Sequence, residues 1–162
     1  MTAPLVDTEQ ASNFARKAKA YCSLIDQPPL LPREKALRRL SQALADLLPL
    51  ALRLPDLSDE ATPDIESNCE PALESVQEWV SVLGVDHYWV LFDPFTNPES
   101  SLAFSSLADD LSDVYSDLKR GLVLFDSGLV HAACWEWRSS FTSHWGESLI
   151  EVERALLLAS RR

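Results

Sequence analysis

Residues 133–145 read ACWEWRSSFTSHW, three tryptophans and a phenylalanine with Arg138 set among them and His144 close behind. A guanidinium among bulky rings has two chemical uses. Met by a carboxylate from a neighbouring element, it is a buried clamp that fixes helix register; open to solvent, it receives a ligand's carboxylate or phosphate in an aromatic-walled pocket. Left unpaired in the interior it would cost several kcal/mol, so an acid is required. On a helical wheel of about 100° per residue, Cys134, Phe141, Trp145, Leu149, Val152 and Leu156 share one sector. Arg138 projects near its middle, with Trp135 and Trp137 on the shoulders. Asp110 and Asp117 lie at the edge of the apolar face of the preceding helix, and Asp93 sits in the turn FDPF. The clamp is the preferred reading and the pocket the alternative. The candidate set is Arg138, Asp93, Asp110, Trp89, Trp135, Trp137, His144, Trp145 and Tyr115.

Other chemistries find less support. His144 and Glu147 are three residues apart on one helix, but a carboxylate-bridged metal bundle needs matching Glu-x-x-His motifs on other helices, and none is present. His87 and His131 are isolated and read as structural. No GxGxxG, GxxxxGK[ST], GxSxG or HExxH occurs. No metal, no cofactor and no catalytic residue is expected, and the reading leans away from an enzyme.

The elements that position these residues follow from apolar periodicity. Asp7 with Gln10 forms a capping box for a first helix whose inner face carries Ala11, Phe14, Ala15, Ala18, Tyr21, Cys22 and Ile25. Pro32 suits the start of a second, through Leu37, Leu40, Leu44 and Leu47, which Pro49 should end or kink near Leu48. Residues 54–70 are acidic, proline-punctuated and read as an exposed loop. A third helix from about Pro71 turns Leu73, Val76, Val80 and Leu83 inward and stops at Gly84. The segment around YWVLF has strand composition but no visible partner, so the end of a helix or an extended strap near 86–95, closed by a turn at Asp93-Pro94, is preferred. Ser106 with Asp109 caps a fourth helix through Leu107, Leu111, Val114, Leu118, Leu122 and Phe125. After Gly128 a last long helix runs to about Ser160. The expectation is an all-α, up-and-down bundle of about five helices forming one domain over residues 1–162.

Charge narrows the partners. The chain of 162 residues carries a formal charge of −11, and no Lys or Arg falls between Arg53 and Lys119. That half would repel nucleic acid and anionic membranes but would accept a basic protein surface. Three widely spaced cysteines, Cys22, Cys69 and Cys134, make no disulfide framework and suit a reducing compartment. The start MTAPLVDTEQ has no signal-peptide pattern and no segment is apolar enough to span a bilayer, so a cytoplasmic location is expected.

Three blocks, DHYWVLFDPF (86–95), SLADDLSDVYSDLKRGLVLF (106–125) and AACWEWRSSFTSHWGESL (132–149), together resemble a bacterial domain-of-unknown-function family, DUF5063. The resemblance implies a cytosolic helical protein and transfers no activity or catalytic residue. It singles out Tyr88, Trp89, Phe92, Asp93, Pro94, Asp109, Asp110, Tyr115, Trp135, Glu136, Trp137, Arg138, His144 and Trp145. Gly121, Leu124, Gly128, Ala133 and Trp137 echo the spacing of one tetratricopeptide hairpin. A non-catalytic interaction or adaptor module is the favoured function, and a binder of small anionic ligands, or an enzyme, around Arg138 the alternative.

Overall fold

The computed structural model describes residues 6–59 and 62–162; residues 60 and 61 of the acidic stretch lie outside the described residues. It is mostly helical, with one small antiparallel sheet. The elements are α1 (Thr8–Ile25), α2 (Arg33–Arg53), α3 (Leu73–Leu83), β1 (His87–Leu91), the single turn α4 (Pro98–Ser101), β2 (Leu102–Ser106), α5 (Leu107–Asp126), α6 (Val130–Ser140) and α7 (Gly146–Ala159). A π-helical segment, Phe141–Trp145, joins α6 to α7.

The caps follow the chemistry of their residues. The Asp7 carboxylate accepts from the Glu9 and Gln10 amides at the start of α1, and the Ser106 hydroxyl accepts from the Asp109 amide at the start of α5. Gly84 ends α3 at φ 66° and Gly128 turns the chain after α5 at φ 83°, both left-handed conformations that cost glycine little. Gln10 does not close a capping box: its side-chain amide donates instead to the Arg53 carbonyl, tying α1 to the end of α2.

Helix α5 packs against α1, α3, α6 and α7, with Leu107, Leu111, Val114, Leu118 and Leu122 buried along its inner stripe. Phe14, Tyr21, Leu40, Leu44, Leu47, Trp79, Trp137 and Trp145 fill the space between the helices. The polar tips of the buried Tyr21 and Trp79 find partners, as interior packing requires. Tyr21 donates to the Leu111 carbonyl at 2.9 Å, and the Trp79 indole to the carbonyls of Leu24 and Gln27 at 3.2 and 3.1 Å.

Four expectations need correction. The strap near 86–95 is a strand: β1 pairs with β2 in the register His87↔Ser106, Tyr88↔Ser105, Trp89↔Phe104, Val90↔Ala103 and Leu91↔Leu102. Its partner lies in LAFSS, a stretch too short and too near a helix cap to stand out by composition. Of the end or kink expected at Pro49, the end does not occur: α2 continues to Arg53 with the proline inside it. Leu73 is exposed, and α3 buries Trp79 instead. The described residues of the acidic loop lack regular structure, but the loop is not bare. Leu54 and Cys69 are buried, Leu57 and Ile65 pack against the core, and the Ser116 hydroxyl donates to Glu70 at 3.0 Å.

Candidate functional site

Arg138 does have an aspartate, but not one of those expected. Its Nε donates to Asp56 Oδ1 at 2.8 Å, and Nη1 lies 3.5 Å from the Ala51 carbonyl. The arginine side chain is 23% exposed and the aspartate 86%. This is an ion pair at the water's edge, in the range of about 0–1 kcal/mol. It borders a recess of about 380 Å³ lined by Asp56, Leu57, Trp135, Arg138, Ser139, Thr142 and Ser143, in which Trp135 is the one aromatic wall.

The π segment explains the misplacement. A π residue turns through a smaller angle than an α residue. The buried stripe Trp145, Leu149, Val152 and Leu156, projected back at a uniform 100° per residue, therefore lands on Arg138. The side chain actually at the centre is Trp137, buried beside Ala133 and Cys134. Gly146 permits the wide turn, because a Cβ there would lie 2.4 Å from the Phe141 carbonyl oxygen.

The other candidates scatter. Trp137 and Trp145 are core, with indole N–H groups donating to the carbonyls of Leu118 and Trp137 at 3.1 and 3.2 Å. Tyr115 is buried and donates to Asp26 across to the end of α1; burial first, then that carboxylate, pushes its pKa up. Asp93 accepts from the Phe95 amide within the hairpin turn, whereas the acid bonded to Arg138 is Asp56. Asp110 accepts from the Tyr88 and Ser105 hydroxyls. It thereby rivets both strands to α5. Burial, then Asp110, raises the Tyr88 pKa.

His144, carried on the π segment, reaches α5. Its Nδ1 lies 2.6 Å from Asp117 Oδ2 and its Nε2 lies 3.5 Å from Asp113 Oδ2; Asp117 is buried and also 3.6 Å from Arg120. The hydrogen bond to Asp117 raises the His144 pKa against the opposing effect of burial. Both ring nitrogens face carboxylates, so the imidazole is arranged to hold a proton rather than to take one from a nucleophile. A raised histidine pKa stabilises the fold fully below the unfolded value of about 6.5, and that contribution fades as pH rises through the folded value. The stability lost in His144→Gln, followed by thermal unfolding, should therefore be larger near about pH 6 than near about pH 9. With His144 half exposed the effect is small.

The outer face of the hairpin is a grouping that the sequence did not disclose, although Trp89, Phe92 and Asp93 were singled out one by one. Strand alternation sends Tyr88 inward and His87, Trp89, Leu91, Leu102 and Phe104 outward. Trp89 is 60% exposed, Phe104 59%, Leu102 56%, and Phe92 and Phe95 at the turn 71% and 96%. Trp89 packs on Phe104 with centroids 4.9 Å apart, and His87 stacks on the same ring at 5.0 Å. Asp86, Asp93 and Glu99 lie close to these rings in sequence, and no Lys or Arg occurs from residue 54 to 118. Neither strand has a second neighbour among the described residues, so both outer edges keep free backbone groups.

A model of the domain-of-unknown-function family DUF5063 matches residues 6–160. The chain belongs to DUF5063. No curated protein matches it. Protein BF1032 from Bacteroides fragilis, known from a crystal structure, resembles this DUF5063 chain with a TM-score of 0.70 at 20% identity. The likeness covers 92% of this chain and 90% of that one, and what it shows is the fold. Among the described residues of the DUF5063 chain, no helix is long and apolar enough to cross a membrane, and no group of three or more His, Cys, Asp or Glu could hold a metal ion. The signal that would have revealed the hairpin's exposed apolar face is the alternation H-x-W-x-L in 87–91 paired with L-x-F in 102–104. It is read correctly only once the two segments are set side by side.

Proposed function

We propose that this DUF5063 chain is a protein-docking module whose hairpin face binds a partner segment bearing apolar and basic groups. The observation that carries the reading is the set of exposed aromatic and aliphatic side chains on one hairpin (Trp89, Phe92, Phe95, Leu102 and Phe104), in a stretch of chain that carries acids and no cation. Exposed apolar patches of this kind mark interaction surfaces. Arginine or lysine would stack on Trp89 and meet Asp86, Asp93 or Glu99 at the rim. Helix α5, through Asp110, holds the hairpin at a fixed angle, so little order would have to be gained on binding. A cytoplasmic setting fits the three buried free thiols.

Site-specific photo-crosslinking in cells tests the reading. A benzoylphenylalanine at Phe95 or Leu102 is expected to give discrete protein adducts, and one at Leu158 on α7 none. Trp89→Ser/Phe104→Ser should abolish the adducts while leaving thermal stability within a few °C, since both rings are mostly exposed. Equal yields at the hairpin and at Leu158, or no adducts at any position, would overturn it.

A further inference from the structure

We infer that the hairpin's partner includes a second copy of this chain, whose α1–α2 groove receives the hairpin tip. The inference rests on the docking role proposed for the hairpin and supplies the occupant. Seven of the 14 Lys and Arg residues lie within residues 16–39, on α1 and the first half of α2. Between those helices runs a groove of about 620 Å³ with an apolar floor that includes Ala20, Leu24 and Ala43. Lys35, Arg38 and Arg39 stand on its α2 wall, all three exposed and without an ion pair or hydrogen bond among the described residues. At one end Lys17 bonds Asp46 at 2.5 Å and Gln42 donates to the same carboxylate, which Lys17 holds below the usual carboxylate range. The groove's one acid is therefore already neutralised. Three cations remain unmatched over an apolar floor.

The hairpin tip is the complement in character and in charge. Phe95 is almost fully exposed and Phe92 largely so, and Asp93 and Glu99 lie in the same short stretch of chain. A phenyl ring seated over Leu24 and Ala43 would bring those carboxylates to Arg38 and Arg39. None of the residues lining the groove is aromatic, which disfavours stacked nucleobases as the occupant. An open surface groove would also leave a lipid chain partly wet. The copies repel as wholes at −11 each, but that repulsion is screened beyond about 8 Å at physiological salt while contact pairs are not. The contact is heterologous, tip to groove, so each chain keeps one free end and association does not stop at two unless a ring closes. Its area is small and the binding weak.

Sedimentation velocity of the purified chain decides it. At concentrations on the order of 100 µM, where contacts of this size become populated, the weight-average mass is expected to rise above the 18.1 kDa of one chain. Arg38→Glu/Arg39→Glu, which closes the groove, and Phe95→Ser/Glu99→Lys, which blunts the tip, should each return the protein to monomer with an unchanged circular-dichroism spectrum. An equimolar mixture of the two variants should give a species of two chains and no larger, because the first keeps only a tip and the second only a groove. A wild-type mass that stays monomeric, association that survives either variant, or a mixture that fails to pair overturns the inference. Crosslinked adducts at Phe95 containing only other proteins would also overturn it while leaving the hairpin's docking role intact; absence of adducts at any position would remove that role itself.

Discussion

Gly121→Ala is expected to cost about 3 kcal/mol of stability, toward the upper end for overpacking a full interior. The substitution looks favourable locally: alanine improves helix propensity over glycine by about 1 kcal/mol at an ordinary position. Sterics decide otherwise. A Cβ on residue 121 would stand 2.0 Å from Trp137 Nε1 and 2.4 Å from two ring carbons. The indole cannot swing aside. Its N–H is held by the Leu118 carbonyl at 3.1 Å, and the ring packs against Phe14 and Phe125 with centroids 4.7 and 5.9 Å away. Helices α5 and α6 would have to separate, opening space throughout their contact. Urea unfolding followed by tryptophan fluorescence measures the cost. With a slope of about 2 kcal/mol per M the midpoint should fall by about 1.5 M. Adding Trp137→Phe, which removes Nε1, the atom in the closest clash, and shrinks the ring beside it, should make the double variant at least about 1 kcal/mol more stable than the sum of the single effects predicts. Simple additivity would mean that the clash is not the cause.

This crossing also shows what the sequence could and could not disclose. Periodicity located the inner faces of α1, α2 and α5, because an uninterrupted α-helix keeps its phase: Phe14, Ala18 and Tyr21, or Leu107, Leu111, Val114 and Leu118, are buried as their spacing requires. The caps at Asp7, Ser106 and Gly84 were legible because each depends on a local hydrogen bond or on one left-handed residue. Phase failed where the helix changed its pitch. The π segment at Phe141–Trp145 shifts everything before it relative to everything after it, and Arg138 was carried inward by that slip. Nothing in FTSHW announces a π turn except the following Gly146, whose reason is visible only beside the Phe141 carbonyl. The hairpin was hidden for another reason. Strand pairing is a relation between two segments, and the second one, LAFSS, is too short to declare itself.

Arg33→Met is expected to cost about 2 kcal/mol, whereas Arg138→Met should cost less than about 1 kcal/mol. Arg33 performs the clamping that the tryptophan-rich helix suggested for Arg138. From the first turn of α2 its Nε donates to the Leu83 carbonyl at 2.9 Å and its Nη2 to the Ala159 carbonyl at 3.1 Å. One guanidinium thus satisfies the C-terminal ends of α3 and α7, where unpaired carbonyls and the helix dipoles favour a cation. Hydrogen bonds from a charged donor contribute about 1.5–3 kcal/mol; without the guanidinium the Leu83 carbonyl loses its donor, while the Ala159 carbonyl keeps the Arg162 amide at 3.2 Å. Against this, a cation at the start of α2 opposes that helix's own dipole by about 0.3–1 kcal/mol, which removing it recovers. The balance remains a clear loss. Methionine keeps most of the aliphatic stem, so the difference reports the guanidinium rather than lost packing. Arg138 has no comparable stake, since its aspartate is largely hydrated already. Raising the salt concentration should shrink the Arg138 effect toward zero and leave most of the Arg33 effect, because screening acts on the exposed pair and not on half-buried bonds to carbonyls. Parallel urea titrations of the two variants at low and high salt give both numbers; a loss at Arg138 equal to that at Arg33 would return that residue to the interior and restore the clamp.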